Sequence, residues 1–389
     1  MKIREVQISG FRSLWNVSIT NLGDVNVFFG ENNSGKSNIL EALEMLFRVE
    51  RTDLPISGFY QGELTNFVDN FTVKPDGTTA NVINMNCKVA IGSEDIGKLS
   101  GFIDFLKGNG IFKTHNQWIQ LEVEIKPVTA SVANRVLKKA TINDCIMYDS
   151  SAAPPARFFP SLVVQVSQAA KKEDAAGALV GYLINSFSKI HTGRFMETGK
   201  IVEGSATNLL MQMQDFKDWF RTLIESRGED YGTFRKIQEW FKQKPFAYGE
   251  IRPILSGGKT ELIIEDTWNR ELIMERLGIG VQQILVLLSQ IAFRVSRYKT
   301  KIFGIEELEL NLSPSIQMET LNMIKGMVSD PGSSGFSQVF LTSHSPYLCS
   351  RDCPDLYAVS IDKNAGTQVK HGPNVVKKMI KHYNYDFFK

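Results

Sequence analysis

Apolar and polar positions alternate from Lys2 to Ser9, with Ile3, Val6 and Ile8 apolar and Gly10 closing the run, which predicts a half-buried strand. Asn16–Thr20 predicts a second short strand. Asp24–Phe29 predicts a third, carrying Val25, Val27, Phe28 and Phe29 at its end. After a glycine-bearing loop the period changes. From Ser37 to about Arg48, Ile39, Leu40, Leu43, Leu46 and Phe47 recur at three- and four-residue spacing, the mark of a helix with one buried face.

The pattern weakens between about residues 51 and 255. Strands are expected at Asn81–Ala90, at Trp118–Lys126 (alternating Ile119, Leu121, Val123 and Ile125) and at Leu162–Val166. Helices are expected around Ala169–Ile190 and Ala206–Ser226. In the second, Leu209, Leu210, Met213, Phe216, Phe220, Leu223 and Ile224 form one apolar stripe. These helices could pack on each other or pair with a second subunit; neither carries a sustained heptad. Ser150–Ala156, rich in Ala and Pro, reads as a linker.

Regularity returns in the last third. A strand at Leu262–Glu265 leads to a helix over about Val281–Arg297 and a strand at Lys301–Glu306. A helix opening near Pro314, strands at Gln338–Thr342, Asp355–Ile361 and Gly366–His371, and a helix from Pro373 follow. Buried strands alternating with helices predict a mostly parallel α/β core.

Composition adds limits. In 389 residues, 44 Lys+Arg against 42 Asp+Glu give a formal charge of +2, so bulk charge gives no argument for nucleic acid. The basic C-terminal cluster Lys370, His371, Lys377, Lys378, Lys381 and His382 leaves a local nucleic-acid contact open beside a solvated helix face. The longest apolar stretch, Ile284–Phe293, is broken by Ser289 and Gln290 and falls short of the ~20 residues a bilayer needs. The N-terminus runs straight into a strand without a signal pattern, and four cysteines make no disulfide framework. The expectation is a cytoplasmic protein without membrane contact.

Gly30-Glu31-Asn32-Asn33-Ser34-Gly35-Lys36-Ser37 fits G-x-x-x-x-G-K-[ST], with a hydrophobic strand before it and a helix after it. Gly30 and Gly35 let the backbone wrap so that consecutive N–H groups face a β-phosphate, and the following helix adds its positive end. Lys36 would bridge β- and γ-phosphates as a point charge, and the Ser37 hydroxyl would be a Mg²⁺ ligand. Asn32, Asn33, Ser34 and Asn38 complete the expected ATP contacts.

The strand Lys301–Glu306 ends on Glu306-Glu307. In a parallel sheet, ligands lie at the carboxyl ends of strands. Glu306 is expected in the Mg²⁺ shell, directly or through water, and Glu307 as the group that orients and polarises the attacking water. His344, in the polar turn after the next strand, is expected to hydrogen-bond the γ-phosphate and the water.

Taken together, Gly10-Phe11-Arg12-Ser13, the phosphate loop, the Glu-Glu-x-Glu-x-x-Leu-x-Pro run from Glu306 and Ser343-His344-Ser345-Pro346 resemble the RecF/SMC-type ABC ATPases. The OLD-like branch, many of whose members act in bacterial anti-phage defence, is the closest match, over about residues 1–50 and 255–350. The resemblance implies an α/β fold: an ABC-ATPase head, with a P-loop NTPase mixed β-sheet core, an antiparallel β subdomain and a helical insertion. The expected lobes are 1–150 (phosphate loop and β subdomain), 151–255 (mainly helical insertion) and 256–389 (signature, acidic strand and switch histidine). It further implies that Arg12 and Ser13 lie near the nucleotide, and that two heads sandwich two ATPs, each capped by the other head's signature segment.

Two segments compete for that signature. Leu255-Ser256-Gly257-Gly258-Lys259 has the better spelling, yet it leads into a strand and so reads as a hairpin turn. It also precedes Glu306 by about fifty positions, roughly twice what one helix and its loops need. Leu277-Gly278-Ile279-Gly280-Val281 opens a helix, and its Gly278 and Gly280 would offer backbone N–H groups. Departures from the family pattern are Leu308 for Pro, Ser313 for His, and Glu306 for Asp.

The expected function is Mg²⁺-dependent ATP hydrolysis by a homodimer, or higher homo-oligomer, joined through its nucleotide sites. That assembly would regulate a separate effector, a nuclease or toxin, in anti-phage defence. No nuclease domain is expected in this chain, since too few residues follow His344. A RecF-like clamp on duplex DNA, or an ATP-binding scaffold with little hydrolysis, are the alternatives.

Overall fold

The computed structural model describes residues 1–47, 62–65, 71–92, 112–127, 132–149, 186–191, 213–243, 246–349 and 355–382, with a few single positions between them. The chain forms two compact units, Met1–Phe187 with Cys353–Lys389, and Ser188–Asp352.

In the first unit, β1 (Lys2–Phe11), β2 (Leu14–Ile19), β4 (Gly62–Thr65), β5 (Ile83–Ile91), β6 (Gln117–Pro127), β7 (Val132–Ile142) and β8 (Cys145–Asp149) make one antiparallel sheet. Its path is β2-β1-β5-β6-β7-β4, with β8 paired to β7. Register follows the alternation: Val6 and Ile8 of β1 face Cys87 and Met85 of β5, and all four are buried. This sheet is the expected antiparallel subdomain.

Beside it, the buried strand β3 (Val25–Gly30) pairs in parallel with β15 (Asp355–Asp362), matching Ala358 to Phe29 and Val359 to Gly30. β16 (Gly366–His371) returns antiparallel to β15. Helix α1 (Lys36–Phe47) follows β3 and buries Ile39, Leu40, Leu43, Leu46 and Phe47, the face its period predicts. Phe47 stacks on Phe187 at 6.3 Å.

In the second unit, β13 (Ile302–Glu306) and β14 (Gln338–Ser343) are parallel and buried throughout, with β9 (Phe187–His191) next to β13. The helix expected over Ala169–Ile190 is corrected at its end: Phe187–His191 is a strand, because sheet pairing overrides local propensity there. The rest of that helix, the strand expected at Leu162–Val166 and the Ser150–Ala156 linker lie outside the described residues, Ser151 and Ser186 excepted.

Helix α2 (Met213–Glu225) carries the described part of the expected stripe, burying Phe216, Phe220 and Leu223; residues 206–212 of the expected helix, with Leu209 and Leu210, lie outside the described residues. Helix α3 (Glu229–Lys242) was not expected from the sequence. It has Glu229 and Asp230 in its first turn and Lys242 in its last, as the helix dipole favours, and buries Thr233, Ile237, Trp240 and Phe241. Aromatic edges join these helices to α4 (Ile279–Tyr298): Phe220 meets Phe234 of α3 at 5.8 Å, and Trp219 meets Phe293 of α4 at 5.7 Å. Helix α4 is long and apolar enough to cross a bilayer, which the shorter run at its centre does not suggest, but it is a core helix, mostly buried within the protein. Helices α5 (Pro314–Ser329) and α6 (Pro373–His382) start near the expected prolines, α6 in the first unit.

A second, three-stranded sheet of β10 (Ile251–Ser256), β11 (Lys259–Glu265) and β12 (Glu271–Ile273) is bolted to α2 by charge. Lys217, 4% exposed, donates to Glu261 at 2.8 Å and to Glu275, and the Thr260 hydroxyl donates to Asp218 at 2.5 Å. Burial pulls the Lys217 ammonium down, but the two carboxylates outweigh it and hold its pKa above the ordinary value. A raised lysine pKa stabilises the fold fully below the unfolded value, ~10.4, and that contribution is lost as pH rises through the folded value. Lys217→Met is therefore expected to cost roughly 1–3 kcal/mol. Urea melts from pH 7 to 11.5 should show the gap from wild type constant to about pH 10 and closing above it; a gap that widens with alkalinity would contradict the assignment.

Candidate functional site

The phosphate loop owes its path to two tight contacts. A Cβ on Gly30 would stand 2.1 Å from the Val359 carbonyl oxygen of β15, and one on Gly35 would stand 2.1 Å from Thr367 Oγ1 and 2.8 Å from Ser13 Oγ. Gly35 also has φ +99, and Asn33 φ 60, left-handed backbone that glycine and asparagine tolerate best. The loop ends on the first turn of α1, where by helix geometry the leading N–H groups have no acceptor one turn earlier. Lys36 is buried, and its Nζ donates to the carbonyls of Gly30 (2.9 Å) and Glu31 (2.5 Å). Ser37 and the Glu31–Asn33 tip are exposed. Ser34 Oγ is buried with no hydrogen-bond partner among the described residues. A closed glycine cradle, an orphaned hydroxyl, a lysine and the N-terminus of a helix suit a polyphosphate.

Arg12, Ser13 and Asn38 converge on this loop. Arg12, at φ 44 in the two-residue turn between β1 and β2, pairs with Glu41 of α1, donates to Asn38 Oδ1 at 3.2 Å and stacks over Phe11. Asn38 Nδ2 donates to Ser13 Oγ at 2.8 Å. Thr367, a residue the sequence did not flag, touches Ser13 Oγ at 2.8 Å and donates to the Ser34 carbonyl at 3.0 Å. Its nearness to the loop depends on strands far apart in sequence and leaves no local signal.

In the second unit, the parallel register Glu306↔Thr342 sets the ends of β13 and β14 level, so Glu306 and the Ser343–Ser345 turn lie at the same, carboxyl end of the pair. Glu306 is 4% exposed, and its carboxylate lies 3.7 Å from Lys189 of β9. That cation falls in the stretch where a helix was expected, so sequence reasoning missed it. Glu307 leaves the strand through its backbone conformation: it has φ 54, and its N–H donates to the Thr342 carbonyl at 3.2 Å. A glutamate held in the left-handed region is strained, and such strain concentrates at functional positions.

Glu309 was also missed as a site residue. Its Oε1 accepts the His344 backbone N–H at 2.7 Å. The same turn is fixed from α5: Ser345 Oγ donates to Gln317 Oε1 at 2.5 Å, and Gln317 Nε2 donates to the Leu312 carbonyl at 2.9 Å. The third acidic residue of the Glu-Glu-x-Glu run is thus the backbone anchor of the expected switch histidine.

The two signature segments separate as their contexts predict. Leu255–Lys259 is the β10–β11 hairpin, with Ser256 opposite Lys259 and Gly257 and Gly258 at φ 57 and 79. Gly278 is the N-cap of α4, with open space where a Cβ would lie; a Cβ on Gly280 would stand 2.7 Å from the Asn311 carbonyl oxygen. Packing alone therefore requires Gly280.

A loop built this way, closing a buried parallel strand onto a helix start, is the mark of a P-loop nucleoside triphosphatase. The chain belongs to the AAA ATPase domain family, whose profile matches residues 1–148 and 169–349. It is 29% identical over 196 residues to the Septu protein PtuA of Bacillus thuringiensis, covering 46% of this chain and 47% of that protein. It is also 29% identical over 169 residues to the uncharacterized protein MJECL44 of Methanocaldococcus jannaschii, covering 37% and 50%. The chain thus spans about half the length of the curated relatives it matches. Among solved structures, the SMC head domain from Thermotoga maritima superposes with TM-score 0.49 at 12% identity, covering 96% of this chain and 99% of that one. The Smc head domain with an extended coiled coil from Pyrococcus furiosus, bound to the C-terminal domain of ScpA, gives 0.47 at 12%, covering 98% and 99%.

Glu309→Ala is expected to slow steady-state phosphate release about tenfold, while Glu309→Gln, which keeps an acceptor for the His344 N–H, stays within about threefold of wild type. Equal losses in the two variants would show that the anchor does not act through that hydrogen bond.

Proposed function

We propose that this protein binds ATP with Mg²⁺, hydrolyses it, and dimerises head-to-head around the nucleotide to control a separate effector in anti-phage defence. The observation that carries the ATP reading is the glycine loop, closed by Val359 and Thr367 and opening onto the start of α1. Lys36 exchanges the carbonyls of Gly30 and Glu31 for β- and γ-phosphate oxygens, a donor moving from neutral acceptors to charged ones. Ser37 and Glu306 are the residues that would hold Mg²⁺, the glutamate directly or through water, with Lys189 as the cation that balances Glu306 otherwise. When bound, the ion would neutralise charge building on the phosphates.

Glu307 accepts a hydrogen bond from the attacking water and takes its proton as the oxygen bonds to the γ-phosphorus and the bridging bond to the β-phosphate breaks, releasing ADP; His344 hydrogen-bonds the γ-phosphate and the water. Gly278 and Gly280 offer their backbone N–H groups at the start of α4 to the terminal phosphate of a second copy. Arg12 and Ser13 would lie near the nucleotide, a reading supported by their hydrogen bonds to Asn38. The effector and defence roles rest on the OLD-like resemblance and on similarity to the Septu protein PtuA.

Glu307→Gln is expected to lower phosphate release by about 10²–10⁴-fold while preserving ATP binding. In light scattering after gel filtration, the variant should gain mass only with ATP and Mg²⁺. An unchanged mass in every condition would overturn the dimer. Salt-sensitive, ATP-dependent capture of duplex DNA by wild type would favour a clamp over an effector controller.

A further inference from the structure

We infer that Thr367 of β16 is a positioning residue for the phosphate loop, fixing the direction in which the Gly35 N–H points. The inference deepens the ATP-binding reading above and rests on it.

Thr367 is fully buried, yet its hydroxyl is spent on the loop. A hydroxyl carries one proton, and the Ser34 carbonyl can only accept, so Thr367 Oγ1 donates to Ser34 at 3.0 Å. The 2.8 Å contact with Ser13 Oγ is then served by the Ser13 proton, and Ser13 Oγ accepts in turn from Asn38 Nδ2 at 2.8 Å. The result is a single-direction chain from the first turn of α1, through the β1–β2 turn and β16, to the loop carbonyl. The Thr367 backbone N–H donates to the Ser13 carbonyl at 2.7 Å, which holds the strand in place for this contact.

The consequence follows from peptide planarity. The Ser34 C=O and the Gly35 N–H belong to one trans peptide unit and point in opposite directions. Holding the carbonyl against Thr367 aims the N–H away from β16. A free peptide at a φ +99 glycine could rotate and present its oxygen to an incoming anion, which would repel it. Thr367 Oγ1 also fills the place of a Gly35 Cβ, so one hydroxyl both demands the glycine and orients its donor.

The test compares Mg·ATP and Mg·ADP affinity by calorimetry, together with kcat and KM, in wild type, Thr367→Val, Thr367→Ser, Val369→Ala and Lys36→Ala. Thr367→Val should weaken both nucleotides about tenfold and raise KM by the same factor, with kcat within about twofold, because only a pre-set binding donor is lost. Thr367→Ser should restore wild-type affinity. Val369→Ala, on the same strand without a loop contact, should lower the melting temperature without changing affinity. Should Thr367→Val not fold, Thr367→Ala repeats the test with no added bulk. Wild-type affinity in Thr367→Val alongside a loss in Lys36→Ala, or failure of serine to restore binding, would overturn the inference. Wild type and Lys36→Ala alike failing to bind either nucleotide would instead defeat the ATP reading, and the inference with it.

Discussion

Steric closure around Gly30 and Gly35 is the constraint from which the first unit's chemistry follows. Each glycine touches a different strand of the C-terminal hairpin, Gly30 the Val359 carbonyl and Gly35 the Thr367 hydroxyl. The loop between them is thus pinned at both ends, with only its Glu31–Asn33 tip exposed. Its shape is therefore a property of the packed β3–β15–β16 ladder as much as of its own eight residues. Packing of this kind makes donor positions available before any ligand arrives, which lowers the ordering cost of binding an anion.

The second unit uses a different device, backbone anchoring at the ends of two parallel strands. Glu307 is held off the strand in a left-handed conformation, and the His344 turn is held by a carboxylate and an amide from neighbouring segments. Both groups sit half-buried at the end of fully buried strands, where a short turn can be fixed without exposing the core. Glu306 beside Lys189 adds a charge pair in a low-dielectric setting, so removing either partner would leave the other costly to bury.

What the sequence made legible and what it hid divide along contact distance. β1, β3, α1, β13 and β14 were readable because each buries one face or both, and burial imposes a period on neighbouring residues. The hairpin at Gly257-Gly258 and the helix start at Gly278 were separable because each is a local choice between strand and helix. β7 escaped because Arg135, Lys138 and Lys139 interrupt its apolar pattern. β9 escaped because its state is set by pairing beside β13. Helix α3 carried a readable stripe at Thr233, Ile237, Trp240 and Phe241 that its many polar neighbours masked. Thr367, Lys189 and Glu309 act through partners brought close only by the fold. No spacing rule reaches a hydroxyl more than 350 positions from its partner.

The account's central claim is that the loop recognises the β-phosphate of a nucleotide. Calorimetric titration of the wild-type chain with Mg·ATP, Mg·ADP and AMP tests it most directly. Saturable binding of ATP and ADP with one nucleotide per chain, and at least ~100-fold weaker binding of AMP, is the predicted result. AMP binding as tightly as ATP would contradict it, because the affinity would then come from the base and sugar and the loop would be idle.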